Sequence, residues 1–203
     1  GTGNDTYRFN TGDVDSGESI TEASSGGTDT VSIITSTDFA NMSNASFDEI
    51  DVINFGGASQ TATFTGAQLT SETISLTETA AGTSNLVINV GAGGTGAFTN
   101  ITAASSFTSG ADTVTINGST GGETIQGPNI ASTILGNDGN DNLTGGSGSD
   151  NINDGNNNDT LDGNDGADNL NGGAGNDIYV FNTNDVDSGE SITEASSGGT
   201  DTV

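Results

Sequence analysis

Aspartate returns every nine residues toward the C-terminal end of the chain, at Asp141, Asp150, Asp159, Asp168 and Asp177. Each closes a run rich in glycine and asparagine. Each is followed two places later by an apolar or aromatic residue, in turn Leu143, Ile152, Leu161, Leu170 and Tyr179. Glycine lets a turn take positive φ and aim its carbonyls inward, and asparagine tolerates the same region at modest cost. Carbonyls and carboxylates gathered in this way form an all-oxygen donor set, which suits a hard cation. Calcium, which takes six to eight oxygens at about 2.3–2.6 Å, is the ion this chemistry favours. A merely solvated acidic face would need neither the glycines nor the strict phase.

The rest of the composition points the same way. In 203 residues there are 28 acidic side chains and one cation, Arg8, for a formal net charge of −27. A compact chain carrying that charge repels itself unless a cation binds it. Nucleic acid and anionic membrane surfaces are excluded as partners, because both require basic patches. Cysteine and histidine are absent, which removes disulfides, thiolate sites, the usual zinc sites and any histidine-based triad. No apolar run approaches the roughly 20 residues of a membrane-spanning helix. Carboxylate pairs exist, but nothing supplies a tuned base, an anion clamp or a partner for a nucleophile. The chain is not expected to be an enzyme.

Elements must hold these aspartates in phase. Phe98, Phe107, Ile116, Ile125, Ile134, Leu143, Ile152, Leu161, Leu170 and Tyr179 make a ladder of apolar positions nine apart. Nine residues are two and a half helical turns, so no helix keeps them on one face. A coil of stacked strands does: a turn plus a short strand per nonapeptide, two nonapeptides per coil. Each strand buries little, so stability must come from stacking. Upstream, "DTVSII" (29–34), "EIDVINF" (49–55), "TATFTG" (61–66), "ETISL" (72–76), "NLVINV" (85–90) and "DTVTI" (112–116) read as further strands bounded by glycine and asparagine. "STDFANMSNASFDEI" (36–50) has room for a short helix. The expected fold is all-β, a parallel β-roll or β-solenoid. Residues 32–97 either continue it or form a small β-sandwich, with the solenoid favoured.

Written in nines, the array is GNDGNDNLT (136–144), GGSGSDNIN (145–153), DGNNNDTLD (154–162), GNDGADNLN (163–171) and GGAGNDIYV (172–180). It resembles the GGxGxDxUx nonapeptide of the repeats-in-toxin (RTX) family, whose repeats build a calcium-binding parallel β-helix. The resemblance covers about 45 residues closely, with Asp5 in the same place of an N-terminal partial unit. It implies several calcium ions held between turns on the same edge, by carbonyls and carboxylates of both. That would pair Asp141 with Asp159 and Asp159 with Asp177 on one edge, and Asp150 with Asp168 on the other. It implies Asp141, Asp150, Asp159, Asp168, Asp177 and Asp5 as metal ligands, together with Gly136, Gly145, Gly163 and Gly172. Asp138 and Asp165 either join the sites or are solvated. DGNNND lacks two glycines, at Asp154 and Asn157, and is expected to bind more weakly, whereas Asn137 and Asn164 should manage the turn. GSTGGETIQ (118–126) and GPNIASTIL (127–135) carry Glu123 and Ser132 where aspartate belongs. They read as coils without ion binding, Glu123 being a candidate edge ligand.

A longer repeat encloses the short one. Residues 1–31 and 173–203 differ only at Thr2/Ala174, Thr6/Ile178, Arg8/Val180 and Gly12/Asn184. This suggests a module of about 172 residues recurring along a longer polypeptide, of which this chain, opening in mid-motif at "GTGND", is a slice. The expected divisions are the end of one array with its flank (1–31), a strand-rich region without consensus turns (32–135), the calcium-binding roll (136–180) and the start of the next module (181–203). In the flank, Asp13, Asp15, Glu18 and Glu22 are candidates for a further ion. Tyr7 with Phe9 and Tyr179 with Phe181 read as packed aromatic caps. The favoured function is a calcium-dependent structural module of a secreted filament, surface layer or adhesin stalk, joined to neighbouring copies in the chain or head to tail. An adhesive module binding carbohydrate or cells, and the noncatalytic tail of a secreted enzyme, are the alternatives. The family resemblance implies type I secretion to the cell exterior.

Overall fold

The computed structural model describes residues 2–22, 26–107, 112–183, 185–196 and 198–203; positions 1, 23–25, 184 and 197 of the duplicated segments lie outside the described residues. The strands pair in parallel. Two compact units emerge, Gly1–Ile88 with Asn100–Thr113, and Asn89–Thr99 with Val114–Val203. Among the described residues no helix is long and apolar enough to cross a membrane.

In the first unit, strands Thr6–Phe9, Thr30–Ile33, Val52–Phe55, Ile74–Glu78 and Ile101–Ala103 stack in that order. Their register gives coils of unequal length. Thr6 pairs with Thr30, Thr30 with Val52, Val52 with Ser75, and Ile74 with Ile101. Residues 32–97 thus contribute solenoid strands, since a sandwich would need antiparallel neighbours. The interior is a conventional apolar core. Phe39 stacks on Phe64 at 4.7 Å, and Phe9 and Phe47 meet it edge-on at 5.0 and 5.6 Å. The helix expected within 36–50 is a single 3₁₀ turn, Asn44–Ser46. A short α-helix instead occupies Gly66–Leu69. Its buried Gln68 accepts the Thr65 N–H and donates to the Phe39 and Met42 carbonyls, tying the turn into the core.

In the second unit the strands alternate between two sheets. One holds Thr113–Asn117, Thr133–Asp138, Asn151–Asn156, Asn169–Gly173 and Ser191–Glu194; the other holds Thr95–Ala97, Thr124–Gln126, Asn142–Gly146, Thr160–Asn164 and Ile178–Val180. Two nonapeptides therefore close one coil. Ile116, Ile134, Ile152 and Leu170 pair in turn on the first sheet, and Ile125, Leu143, Leu161 and Tyr179 on the second. All eight are buried.

Above Ile116 the nine-residue beat lapses. Ile125 pairs not with Phe98 but with Gly96. A methyl group built on Gly96 would lie 2.6 Å from two atoms of the Phe98 ring, so that ring fills the place the absent side chain leaves. Phe107 is also buried but belongs to the first unit, where its ring lies 5.5 Å from that of Phe55. Gly96→Ala should therefore destabilise the chain by about 1–3 kcal/mol, the usual range for overpacking, as measured by urea unfolding in calcium. An unchanged midpoint would show that the ring moves freely.

Candidate metal centres

The short strands force each aspartate to a coil corner, and the register stacks the corners into two columns. In one, the N–H groups of Glu123, Asp141, Asp159 and Asp177 each donate to a carboxylate oxygen of the residue one coil later. The acceptors are Asp141, Asp159, Asp177 and Asp201, at 2.6, 2.6, 2.9 and 3.0 Å. In the other, Ser132, Asp150 and Asp168 donate to Asp150, Asp168 and Glu190 at 2.7, 2.8 and 3.3 Å. The expected same-edge partners, eighteen residues apart, do stand together.

Each array aspartate turns its carboxylate inward, and all five are buried. One oxygen is satisfied by the column. The other, Oδ2, has no hydrogen-bond partner among the described residues in Asp141, Asp159, Asp168 and Asp177. Asp150 is the exception: its Oδ1 takes the N–H and hydroxyl of Ser132, and its Oδ2 takes the Gly146 N–H. Unpaired buried carboxylate oxygens are costly. Burial itself also raises the pKa values: it pushes Asp150 and Asp159 up to about 6, and raises Asp141, Asp168 and Asp177. For Asp159 the neighbouring charges of Asp141 and Asp177 add to the effect.

The first glycine of each nonapeptide explains why the carboxylate fits. A methyl group built on Gly136 or Gly145 would lie 2.6 Å from Oδ2 of the aspartate in its own turn, Asp141 or Asp150. On Gly172 the distance to Asp177 would be 3.0 Å, and on Gly163 the methyl would overlap Asp168. These glycines supply room; the left-handed backbone falls at the second and fourth positions. There Asn137 takes φ 77° and Asn164 φ 60°, as expected of them, and Asn157, in the unit that lacks two glycines, takes φ 86°.

The other sequence candidates divide. Asp138 and Asp165 are exposed, and Asp138 accepts an N–H from the Asn156 side chain. Glu123 is buried but accepts hydrogen bonds from Gly93, the Ser119 N–H and the Ser119 hydroxyl, so its coil is closed by protein donors. In the flank, Asp13 accepts from the backbone and side chain of Asn10, and Glu18 from the Asp15 N–H. The Asn10 donors lower the Asp13 pKa. Of the four flank candidates, Glu22 is the one brought into a carboxylate cluster, with Asp5 and Asp29.

That cluster recurs in the second copy as Asp177, Glu194 and Asp201, again with ligand oxygens within 4.8 Å of one another. The surrounding bonds recur too. Tyr7 donates to Glu22 and Tyr179 to Glu194. The Asp5 N–H reaches Asp29 at 2.9 Å and the Asp177 N–H reaches Asp201 at 3.0 Å. Thr28 donates to Asn4 and Thr200 to Asn176, at 3.0 and 2.8 Å. A third cluster joins Asp154 to Asp159 and Asp177. Sequence reasoning treated Asp154 only as a missing glycine; the signal was an acid where the four sister units keep Gly136, Gly145, Gly163 and Gly172. Asp29 and Asp201 were missed because their partners lie 24 residues away, outside the nine-residue phase.

The donors are oxygens alone, and six carboxylate oxygens, on Asp141, Asp154, Asp159, Asp168 and Asp177, are buried without hydrogen-bond partners among the described residues, so the corners fit a hard cation. A family model described as RTX calcium-binding nonapeptide repeat (4 copies) matches residues 117–152 and again 144–179. No curated protein and no solved structure matches the chain.

Proposed function

We propose, from the match of residues 117–179 to the RTX calcium-binding nonapeptide repeat model, that the chain is a calcium-dependent structural module of a secreted tandem-repeat protein, serving in an extracellular filament, surface layer or adhesin stalk. Calcium, when bound, supplies the positive charge that the stacked carboxylates require. Asp141, Asp150, Asp159, Asp168 and Asp177 would hold it with the turns that open at Gly136, Gly145, Gly163 and Gly172, and Asp5 would do so in the N-terminal unit. The chain's own contribution is to line these oxygens up and to withdraw them from water. Binding and folding of the array then become one event, leaving the array open where calcium is scarce and folded where it is near millimolar. That suits export in an unfolded state by a type I route.

The duplicated junction carries the module reading. Residues 191–194 form a strand on Asn169–Gly173, whereas the identical Ser-Ile-Thr-Glu at 19–22 forms none. Conversely, Ile20 is buried while its counterpart Ile192 is 41% exposed. In one copy the flank adds a rung to a finished array, and in the other its Ile20 is buried.

In a chain of two modules, the amides of 191–194 should exchange on the order of a hundredfold more slowly in calcium than in the single module, by hydrogen exchange and mass spectrometry. Equal exchange would overturn the continuous junction. Imaging of native material as fibre, lattice or single stalk selects among the three settings.

A further inference from the structure

We propose that the outer edge of strand Thr6–Phe9 is an assembly edge. Its occupant is the coil around Thr160–Asn164 of a second copy of this chain, reached by displacing that copy's own residues 173–203. The inference rests on the module reading and deepens it by naming the partner of this edge. Thr6–Phe9 ends its sheet: strand Thr30–Ile33 lies on one side, and among the described residues no strand lies on the other. An open strand edge is a template for a further strand.

The duplicated sequence shows what fits there. Residues 178–180 are the counterpart of 6–8, and they are paired on both sides. On one side Ile178 bridges to Thr202 as Thr6 pairs with Thr30. The Thr202 and Thr30 N–H groups donate to the Asp177 and Asp5 carbonyls at 2.8 and 2.9 Å. On the other side Thr160, Leu161 and Asp162 pair with Ile178, Tyr179 and Val180. There the Ile178 N–H donates to the Asp159 carbonyl at 2.9 Å, and the Ala174 N–H to the Gly155 carbonyl at 3.0 Å. Carried over in register, that coil would meet Thr6, Tyr7 and Arg8. Tyr179, which it covers, is 2% exposed, while Tyr7 is only half-buried.

Two differences between the copies favour the head of a second chain over the tail. Arg8, exposed and the only cation of the chain, stands where the other copy has Val180, and the register sets it opposite Asp162. Opposite charges facing each other across a ladder stabilise it, whereas copies carrying −27 otherwise repel. The coil behind the edge is also complete. Val31 is fully buried, while its counterpart Val203 is 80% exposed. Against this, the tail is tethered at an effective concentration on the order of millimolar, so the exchange depends on protein concentration. Each copy has one such edge and one such coil. The contact is therefore head to tail, of the heterologous kind that propagates from copy to copy.

The chain has no cysteine, so engineered thiols report the register. The test mixes a full-length Thr6→Cys chain with a full-length Thr160→Cys chain in calcium and a thiol–disulfide buffer. Facing residues on neighbouring strands lie about 4.8 Å apart, within the range a disulfide spans. Asn142, which pairs with Thr160 one coil further back, would lie about 9.6 Å away and outside it. Linked dimers are expected with Thr160→Cys and not with Asn142→Cys, in a yield that rises with concentration. Arg8→Glu in the first chain should lower that yield roughly two- to fivefold, and Asp162→Arg in the second should restore it. Sedimentation of the unmodified chain gives a cysteine-free check, with mass that grows with concentration and grows less in Arg8→Glu. Equal linking at 142 and 160, or chains that fold in calcium yet neither link nor associate, would overturn the assembly edge and leave the calcium-dependent module standing. A β circular dichroism signal that ignores both calcium and EDTA would overturn the calcium coupling, while the link between 6 and 160 would still decide the edge.

Discussion

Chelating calcium at neutral pH should strip residues 133–180 of hydrogen-exchange protection while strands 30–33, 52–55 and 74–78 keep theirs. The two units are held by different forces. In the first, Phe39, Phe47, Phe55, Phe64, Ile33, Ile53, Leu69 and Leu76 are fully buried, with rings packed at 4.7–5.6 Å. Burial of each such side chain contributes about 1.5–3 kcal/mol, so that core does not depend on an ion. The array offers one inward aliphatic or aromatic residue per nonapeptide, and beside it a buried carboxylate, which in every unit but that of Asp150 keeps an unsatisfied oxygen. Removing the cation leaves the carboxylates of Asp141, Asp159 and Asp177 facing one another without compensation. Exchange should accelerate on the order of a hundredfold or more in the array, measured by mass spectrometry with and without EDTA. Protection unaltered in both units would rule out folding coupled to calcium.

The difference between the units also explains what the sequence made legible. The coil order of the array could be read, down to the pairing of Asp141 with Asp159, because every unit repeats turn and strand at equal length, so the period shows in one dimension. The first unit's coils vary: hydrogen-bonded partners Asp5 and Asp29 are 24 residues apart, and Asp29 and Asp51 are 22. No fixed period exists to be found, though the individual strands 30–33, 52–55 and 61–65 were visible from their alternation. Phe98 misled because a buried aromatic near the right spacing looks like a rung; only the pairing of Gly96 with Ile125 shows that its ring reaches the rung from two residues away. The inward turn of the aspartates was hidden for a related reason. Phase locates a residue at a corner, while the direction of its side chain is decided by the glycine five places earlier, which contributes empty space. Glu22 could not be distinguished from Asp13, Asp15 and Glu18 because it meets Asp29 across a coil.

Without calcium, the array should be more stable at pH 5 than at pH 8, the reverse of ordinary acid denaturation. In the metal-free fold Asp150 and Asp159 titrate at about 6 and Asp154 at about 8, each raised chiefly by burial from 3.8. A raised carboxyl pKa means that the folded chain binds more protons than the unfolded chain between the two values, so stability falls as pH rises. The contribution is fully present below about pH 4, is lost through about 6 for Asp150 and Asp159, and is lost through about 8 for Asp154. A rise from 3.8 to about 6 corresponds to a contribution on the order of 3 kcal/mol. Neighbouring carboxylates share their protons, so these terms do not simply add. Even so, the effect is large beside a net stability of about 5–15 kcal/mol. The formal charge of −27 shrinks on acidification and acts in the same direction. Protons thus stand in for the cation at low pH, and calcium must displace them to bind. Thermal unfolding followed by circular dichroism should show a midpoint that falls from pH 5 to 8 in EDTA. In millimolar calcium it should hold or rise, so the gap between the two widens with pH. Asp154→Asn, which cannot ionise, should flatten the EDTA curve above about pH 6. A metal-free midpoint that climbs with pH would mean that the carboxylates are stabilised as anions by the fold itself, and that no cation is needed to hold the coils together.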